Sequence, residues 1–245
     1  MSTNFFYKNL DNESLSSIKE KYLNLKEDEA SPFVLKSYLV SIEETRTNMI
    51  NWLSFLCNTL NFTNETLFRS VSLFDQYISK ISKKDIEDMT QEKLNLITIG
   101  CLSLSTKLEE INCNYISFLN EKVLNTPYEQ IFTNKDLTKM ELKILKVLKF
   151  KTLFSMPLDF LEIYLEIFKY FLETNNFCSN EQMINKIISN IRILTINLMK
   201  NNINNSSYLI NNASNFSLIC FINALNQLNM ANPLFIKQLE NIFLL

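Results

Sequence analysis

Residues 98–111 read Thr98-Ile99-Gly100-Cys101-Leu102-Ser103-Leu104-Ser105-Thr106-Lys107-Leu108-Glu109-Glu110-Ile111. The apolar residues follow a helical period, and strand-type alternation is absent from the chain. Gly100, Cys101, Ser103, Ser105 and Thr106 keep the bulk low on several sides, so other helices can approach closely. The stretch is expected to close the central, most enclosed helix of an all-α fold.

The same period near 3.6 runs through almost every neighbouring segment. Helices are expected over about 46–60, 64–80, 90–109, 113–124 and 134–149, with Thr63, Thr90 and Thr133 as N-caps. Ahead of them, 12–28 is a charged, weakly amphipathic stretch. Ser31-Pro32 then opens a segment, Phe33 to Glu44, with Leu35, Tyr38, Leu39 and Ile42 on one face. A second unit starts where Ser155 can cap and Pro157 fits a first helical turn. Its helices are expected near 156–174, 181–200, 207–228 and 233–243, parted by polar loops such as Asn201–Ser207. The resulting organisation is an extension over 1–32 lying on the surface, a unit over 33–150 and a shorter unit over 151–245.

A chain of 245 residues with 47% apolar and 12% aromatic content can bury a substantial core. A net charge of −2, a pI of about 5.4 and the lack of a dense Lys/Arg cluster argue against nucleic acid as partner. Gly100 is the sole glycine and histidine is absent, which excludes phosphate-cradling glycine loops, histidine triads and histidine-containing metal sites. No catalytic residue, cofactor, metal or small-molecule substrate is expected. Cys57, Cys101, Cys113, Cys178 and Cys220 are odd in number, without a CxxC pair, and mostly sit among apolar neighbours, as reduced core residues do. The N-terminus lacks a signal-peptide core, and no apolar run approaches the roughly 18 residues needed to span a bilayer. An intracellular protein that does not enter membranes is expected, in cytoplasm, nucleus or both.

Four charges fall where apolar side chains belong. Arg46 shares a stripe with Ile50, Leu53, Cys57 and Leu60, and Asp75 one with Leu67, Val71, Phe74 and Ile78. An unpaired buried charge would cost several kcal/mol, so the two are expected to pair and fix the register of adjacent helices. Glu141 shares a stripe with Leu137, Leu145 and Leu148, and Lys107 lies near the end of its helix. Two readings stay open for these. Lys107 can answer the helix dipole while Glu141 is solvated or pairs with Lys107, or both can face a partner beside the apolar Leu108 and Phe150.

Taken together, Thr45 to Leu53, Leu73 to Ile78, Cys101 to Ile111, and Met140 to Phe150 followed by Met156 to Leu161 resemble the cyclins, the regulatory subunits of cyclin-dependent protein kinases. The order and spacing of these four matches agree over about residues 35–165. The resemblance implies a cyclin fold of two tandem helical repeats of about five helices each, the second shortened, after an N-terminal helical extension. It also implies a heterodimer with a cyclin-dependent kinase, gripped by the positions matching Lys107 and Glu141 with Leu108, Glu110 and Phe150, and it assigns Arg46 and Asp75 to an internal ion pair. A substrate-docking patch would fall on Met49, Trp52 and Leu94, although Thr45 and Asn48 depart from the family's apolar residues there and Asn51 replaces its usual Asp. None of the three arginines has Leu three residues on, so an Arg-x-x-Leu destruction signal is absent. The implied function is activation of a kinase in cell-cycle control. A transcription-associated cyclin, or a cyclin-fold protein that binds without activating, are the alternatives.

Overall fold

A computed structural model describes residues 12–29, 43–111, 133–175, 180–205, 211–233, 235–237 and 239. In chain order its helices are α1 (Asn12–Asp28), α2 (Glu43–Thr59), α3 (Asn64–Lys80), α4 (Lys83–Glu87), α5 (Gln91–Glu109), α6 (Asn134–Val147), α7 (Pro157–Thr174), α8 (Glu181–Asn202) and α9 (Ala213–Gln227). Among the described residues the only non-helical pairing is one parallel bridge between Glu29 and Ser155. The segment expected over 33–44 and the helix expected over 113–124 lie largely or wholly outside the described residues.

One compact unit comprises Ser31–Phe154 with Asn204–Ile210. Here α5 is the enclosed helix: every residue from Leu94 to Thr106 except Leu96 is buried, and α3 and α6 pack on it. Gly100 permits that approach, since a Cβ there would stand 3.0 Å from Ile144 Cδ1 and 3.1 Å from Met140 Cγ. Thr63, Thr90 and Thr133 each accept a backbone N–H in the first turn of α3, α5 and α6, as expected of N-caps. The short α4, not foreseen, is closed by Ser82 and Asp85, whose side chains each accept the other's backbone N–H.

The other unit comprises Met1–Ala30, Ser155–Ile203 and Asn211–Leu245. By packing, the division falls after Phe154, and α1 packs within this unit. The physical reason lies in two of its described side chains. Ile18 and Tyr22 face inward, and the Tyr22 ring meets Phe160 edge-on at 5.7 Å. Ser155 does not cap α7 as expected. Its N–H donates to Asp28 O at 3.2 Å, and the Asp159 carboxylate instead accepts the Met156 N–H at 2.6 Å, with Pro157 in the first turn as anticipated. The helix expected from 207 begins at Ala213, with Asn211 and Asn212 outside it. Asn212 makes no side-chain cap, and Glu29 supplies one by accepting the Ser214 N–H at 2.6 Å. Phe168, Phe171, Phe221 and Phe235 form the aromatic core, with Phe168 and Phe235 4.8 Å apart.

Cys57, Cys101 and Cys220 are buried, while Cys113 and Cys178 lie outside the described residues. Burial, with the Asp75 charge nearby, pushes the Cys101 thiol far up, and burial pushes Cys220 up to about 11. Both are protonated core residues.

Candidate functional site

Close packing of α5 on α6 decides which polar groups meet. Ser103 and Lys107 lie one turn apart on α5, and both face Glu141 on α6. Ser103 Oγ donates to Glu141 Oε1 at 2.6 Å and Lys107 Nζ donates to the same oxygen at 2.5 Å. The Lys107 side chain is 46% exposed and that of Glu141 10%. The carboxylate is thus held from inside the unit while the ammonium reaches the surface. Lysine carries three donors, and Glu141 takes one of them.

Several apolar side chains of α5, α6 and the residues after α6 are open to solvent. Leu108 is 44% exposed and Phe150 63%, with Leu142 and Leu153 also open to solvent. Phe150 stands on an unusual backbone, because Lys149 and Phe150 both take left-handed φ, of 53° and 60°. Non-glycine residues adopt that region at a cost. Here it ends α6 with the Phe150 N–H donating to Leu145 O at 2.7 Å.

The two acids that end α5 are committed elsewhere. Glu109 accepts Arg69 Nε at 2.6 Å, and Arg69 Nη1 also donates to Phe154 O at 3.0 Å. Glu110, expected at the kinase, has its carboxylate turned to the start of α3. It accepts the Thr63 N–H at 2.8 Å, Thr63 Oγ1 at 2.9 Å and Thr66 Oγ1 at 2.5 Å. Burial pushes the Glu110 carboxyl up, but the bonds from Thr66 and Thr63 together outweigh it and hold the group below its ordinary range. It serves as a second cap for α3.

Arg46 and Asp75 meet as expected, through Nε–Oδ1 at 2.8 Å and Nη2–Oδ2 at 2.9 Å, with side-chain exposures of 4% and 7%. Arg46 Nη1 also donates to Asn204 O at 3.3 Å. The expected docking patch does not form a surface: Met49, Trp52 and Leu94 are all buried. Their helical positions match the resemblance, but α2 and α5 turn them into the unit's interior.

Sequence reading missed Ser103, Arg69 and Glu109. Composition held one signal for Arg69. The chain has three arginines among 24 basic residues, and each forms an ion pair, Arg46 with Asp75, Arg69 with Glu109 and Arg192 with Glu162. Among the described residues, no three His, Cys, Asp or Glu side chains converge as metal ligands, and no helix is long and apolar enough to cross a membrane.

Known proteins share the family and the fold of this chain. The family model described as "Cyclin, N-terminal domain" matches residues 16–153. Putative cyclin-F3-1 of Oryza sativa subsp. japonica is 26% identical over 152 residues, covering 60% of this chain and 36% of the relative. Cyclin-B2-1 of Arabidopsis thaliana is 28% identical over 124 residues, 51% of this chain and 26% of the relative. G2/mitotic-specific cyclin-4 of Saccharomyces cerevisiae is 25% identical over 131 residues, 54% and 26%. The chain thus spans about a quarter to a third of these relatives' length. The crystal structure of a viral cyclin from herpesvirus saimiri superposes with a TM-score of 0.67 at 18% identity, covering 93% of this chain and 88% of that one, which establishes the fold.

Proposed function

The chain belongs to the cyclin family, and from that premise we propose that it binds and activates a cyclin-dependent Ser/Thr protein kinase in cell-cycle control. The observation that carries the reading is the Lys107–Glu141 pair, open on its Lys107 side, with exposed Leu108 next to Lys107 in sequence and exposed Phe150 just after α6, inside the matched region. Such a site suits a protein partner: a charge with donors to spare, next to apolar side chains that gain from being covered. Mitotic-specific names among the relatives support the cell-cycle role.

No chemistry is asked of this chain. It supplies contacts that favour one conformation of the kinase, in which a mobile helix is pressed inward, the kinase's own Lys-Glu ion pair is completed and its activation segment is rearranged. Activation is then a population shift whose size equals the difference in binding free energy between the two kinase conformations. Rigidity of the binding face serves this purpose, and Glu141 is held by Ser103 as well as Lys107 while the Phe150 backbone is fixed by its bond to Leu145. The complex would act inside the cell, in cytoplasm, nucleus or both.

The test is recovery of a kinase by tagged protein from source cells, with histone-kinase activity measured for wild type and for Lys107→Ala/Glu141→Ala. An active kinase with wild type and none with the folded double variant is the expected result. Full activation by the double variant would refute the site, and a bound but inactive kinase would make the chain a non-activating partner.

A further inference from the structure

The outward face of α6 carries a charge pattern that the proposed kinase site does not use. Between Asn134 and Lys151 the sequence has six lysines, at 135, 139, 143, 146, 149 and 151, against two acids, Asp136 and Glu141. The rest of the chain holds 18 Lys and Arg against 24 Asp and Glu, so this surplus stands on an acidic molecule. All six lysines are exposed, and none is in an ion pair among the described residues. Glu141 is engaged on the other side of the helix with Lys107 and Ser103, while Asp136 bonds Thr133 Oγ1 at 2.5 Å, and that bond, with the nearby Lys139 and Lys135 charges, holds its carboxyl below the ordinary range.

Position on the helix makes this a continuous strip. Lys135, Lys139, Lys143 and Lys146 recur at i, i+4, i+8 and i+11, on the side of α6 opposite the buried Leu137, Glu141 and Ile144. Exposed Leu142 lies within the strip, between Lys139 and Lys146. A face that serves only solvation gains from placing Glu and Lys one turn apart, whereas like charges at that spacing weaken the helix. Four lysines on one face, with Asp136 as the one carboxylate of the helix beside them, therefore favour an anionic partner. The field continues past the helix end: burial, then the nearby Lys149 and Lys151 charges, hold Lys80 of α3 below its ordinary range. Asp85, close enough to feel Lys143, is committed to Ser82.

We propose that this face of α6 docks an acidic protein segment, with carboxylates spaced along about three helical turns around an apolar side chain that covers Leu142. Leu142 argues for a protein over a nucleic-acid backbone, which offers phosphates but no apolar counterpart there. A single exposed leucine is too little to hold a lipid surface, and the acidic remainder of the chain is repelled by one. The strip lies opposite the stripe that holds Glu141, so the proposal does not rest on the kinase reading and is tested on the chain alone.

The experiment measures fluorescence anisotropy of a labelled peptide of about 14 residues, repeating Glu-Glu-Leu-Glu, against the full chain at about 50 mM salt. A Gln-for-Glu peptide, an oligo-dT of similar charge and phosphatidylserine vesicles are run beside it. The expected result is binding of the acidic peptide alone, weakening with salt, and falling about tenfold or more in Lys135→Gln/Lys139→Gln/Lys143→Gln/Lys146→Gln. The milder Lys139→Gln/Lys146→Gln is expected to lose part of that affinity, and Leu142→Ser to lose several-fold with its salt dependence unchanged, each with an unaltered thermal melt. Absence of peptide binding, equal binding by the folded Gln variants, or tighter binding of oligo-dT or vesicles would overturn the proposal.

Discussion

Two ion pairs in the same unit join neighbouring helices, and they differ in nearly every physical respect. Arg46 and Asp75 form a two-pronged, nearly sealed contact at exposures of 4% and 7%. Lys107 and Glu141 share one bond, and the cation is 46% exposed. A sealed pair resists rearrangement, because removing either partner strands a charge away from water. An open pair contributes little to stability and leaves its charge available to something outside. The difference separates a residue that fixes register from one that can recognise a partner.

The sharpest way to break the comparison is to remove the sealed cation. Arg46→Ala is expected to destabilise by about 3–5 kcal/mol and to lower the thermal midpoint by roughly 10 °C. Replacing both partners with apolar residues of similar volume is expected to restore much of that loss, and a double variant no better than the single one would contradict the clamp. Glu110 is intermediate, since it is partly open yet accepts three bonds. Its folded carboxyl lies below its usual value of 4.5, so its contribution is complete above that pH and is lost as pH falls through the lower folded value. Glu110→Gln is expected to cost about 1 kcal/mol near neutrality, and urea titrations should find the gap to wild type closing in acid. At the open end, Lys107→Ala is expected to cost less than about 1 kcal/mol while weakening kinase recovery strongly. A loss comparable to that of Arg46→Ala would erase the distinction between the two pairs.

How far these features were legible in the sequence follows the same division. Arg46 and Asp75 could be matched because each interrupts an apolar stripe, and burial leaves such charges few choices. The enclosed α5 was readable from its small residues. Glu110 was not, because Thr63 and Thr66 lie more than 40 positions away and no local period links them. Met49, Trp52 and Leu94 fell at the right positions of a resemblance, but a position does not determine exposure, and α2 and α5 bury all three. The five-residue α4 is too short for a period to appear. For α1, Ile18 and Tyr22 stand among many charged residues, too faint a stripe to separate an integral helix from an extension.

The contact of Glu29 with the first turn of α9 bears on how the chain is made. Residues of α1 and Glu29 are synthesised before α2, yet their partners in this unit, Phe160, Tyr164 and Ser214, follow more than a hundred positions later. During vectorial synthesis α1 must leave the ribosome and wait with Ile18 and Tyr22 uncovered, while α2 to α6 emerge and can already pack on one another. The unit that gains its last partners after α6 thus contains a helix made before α2.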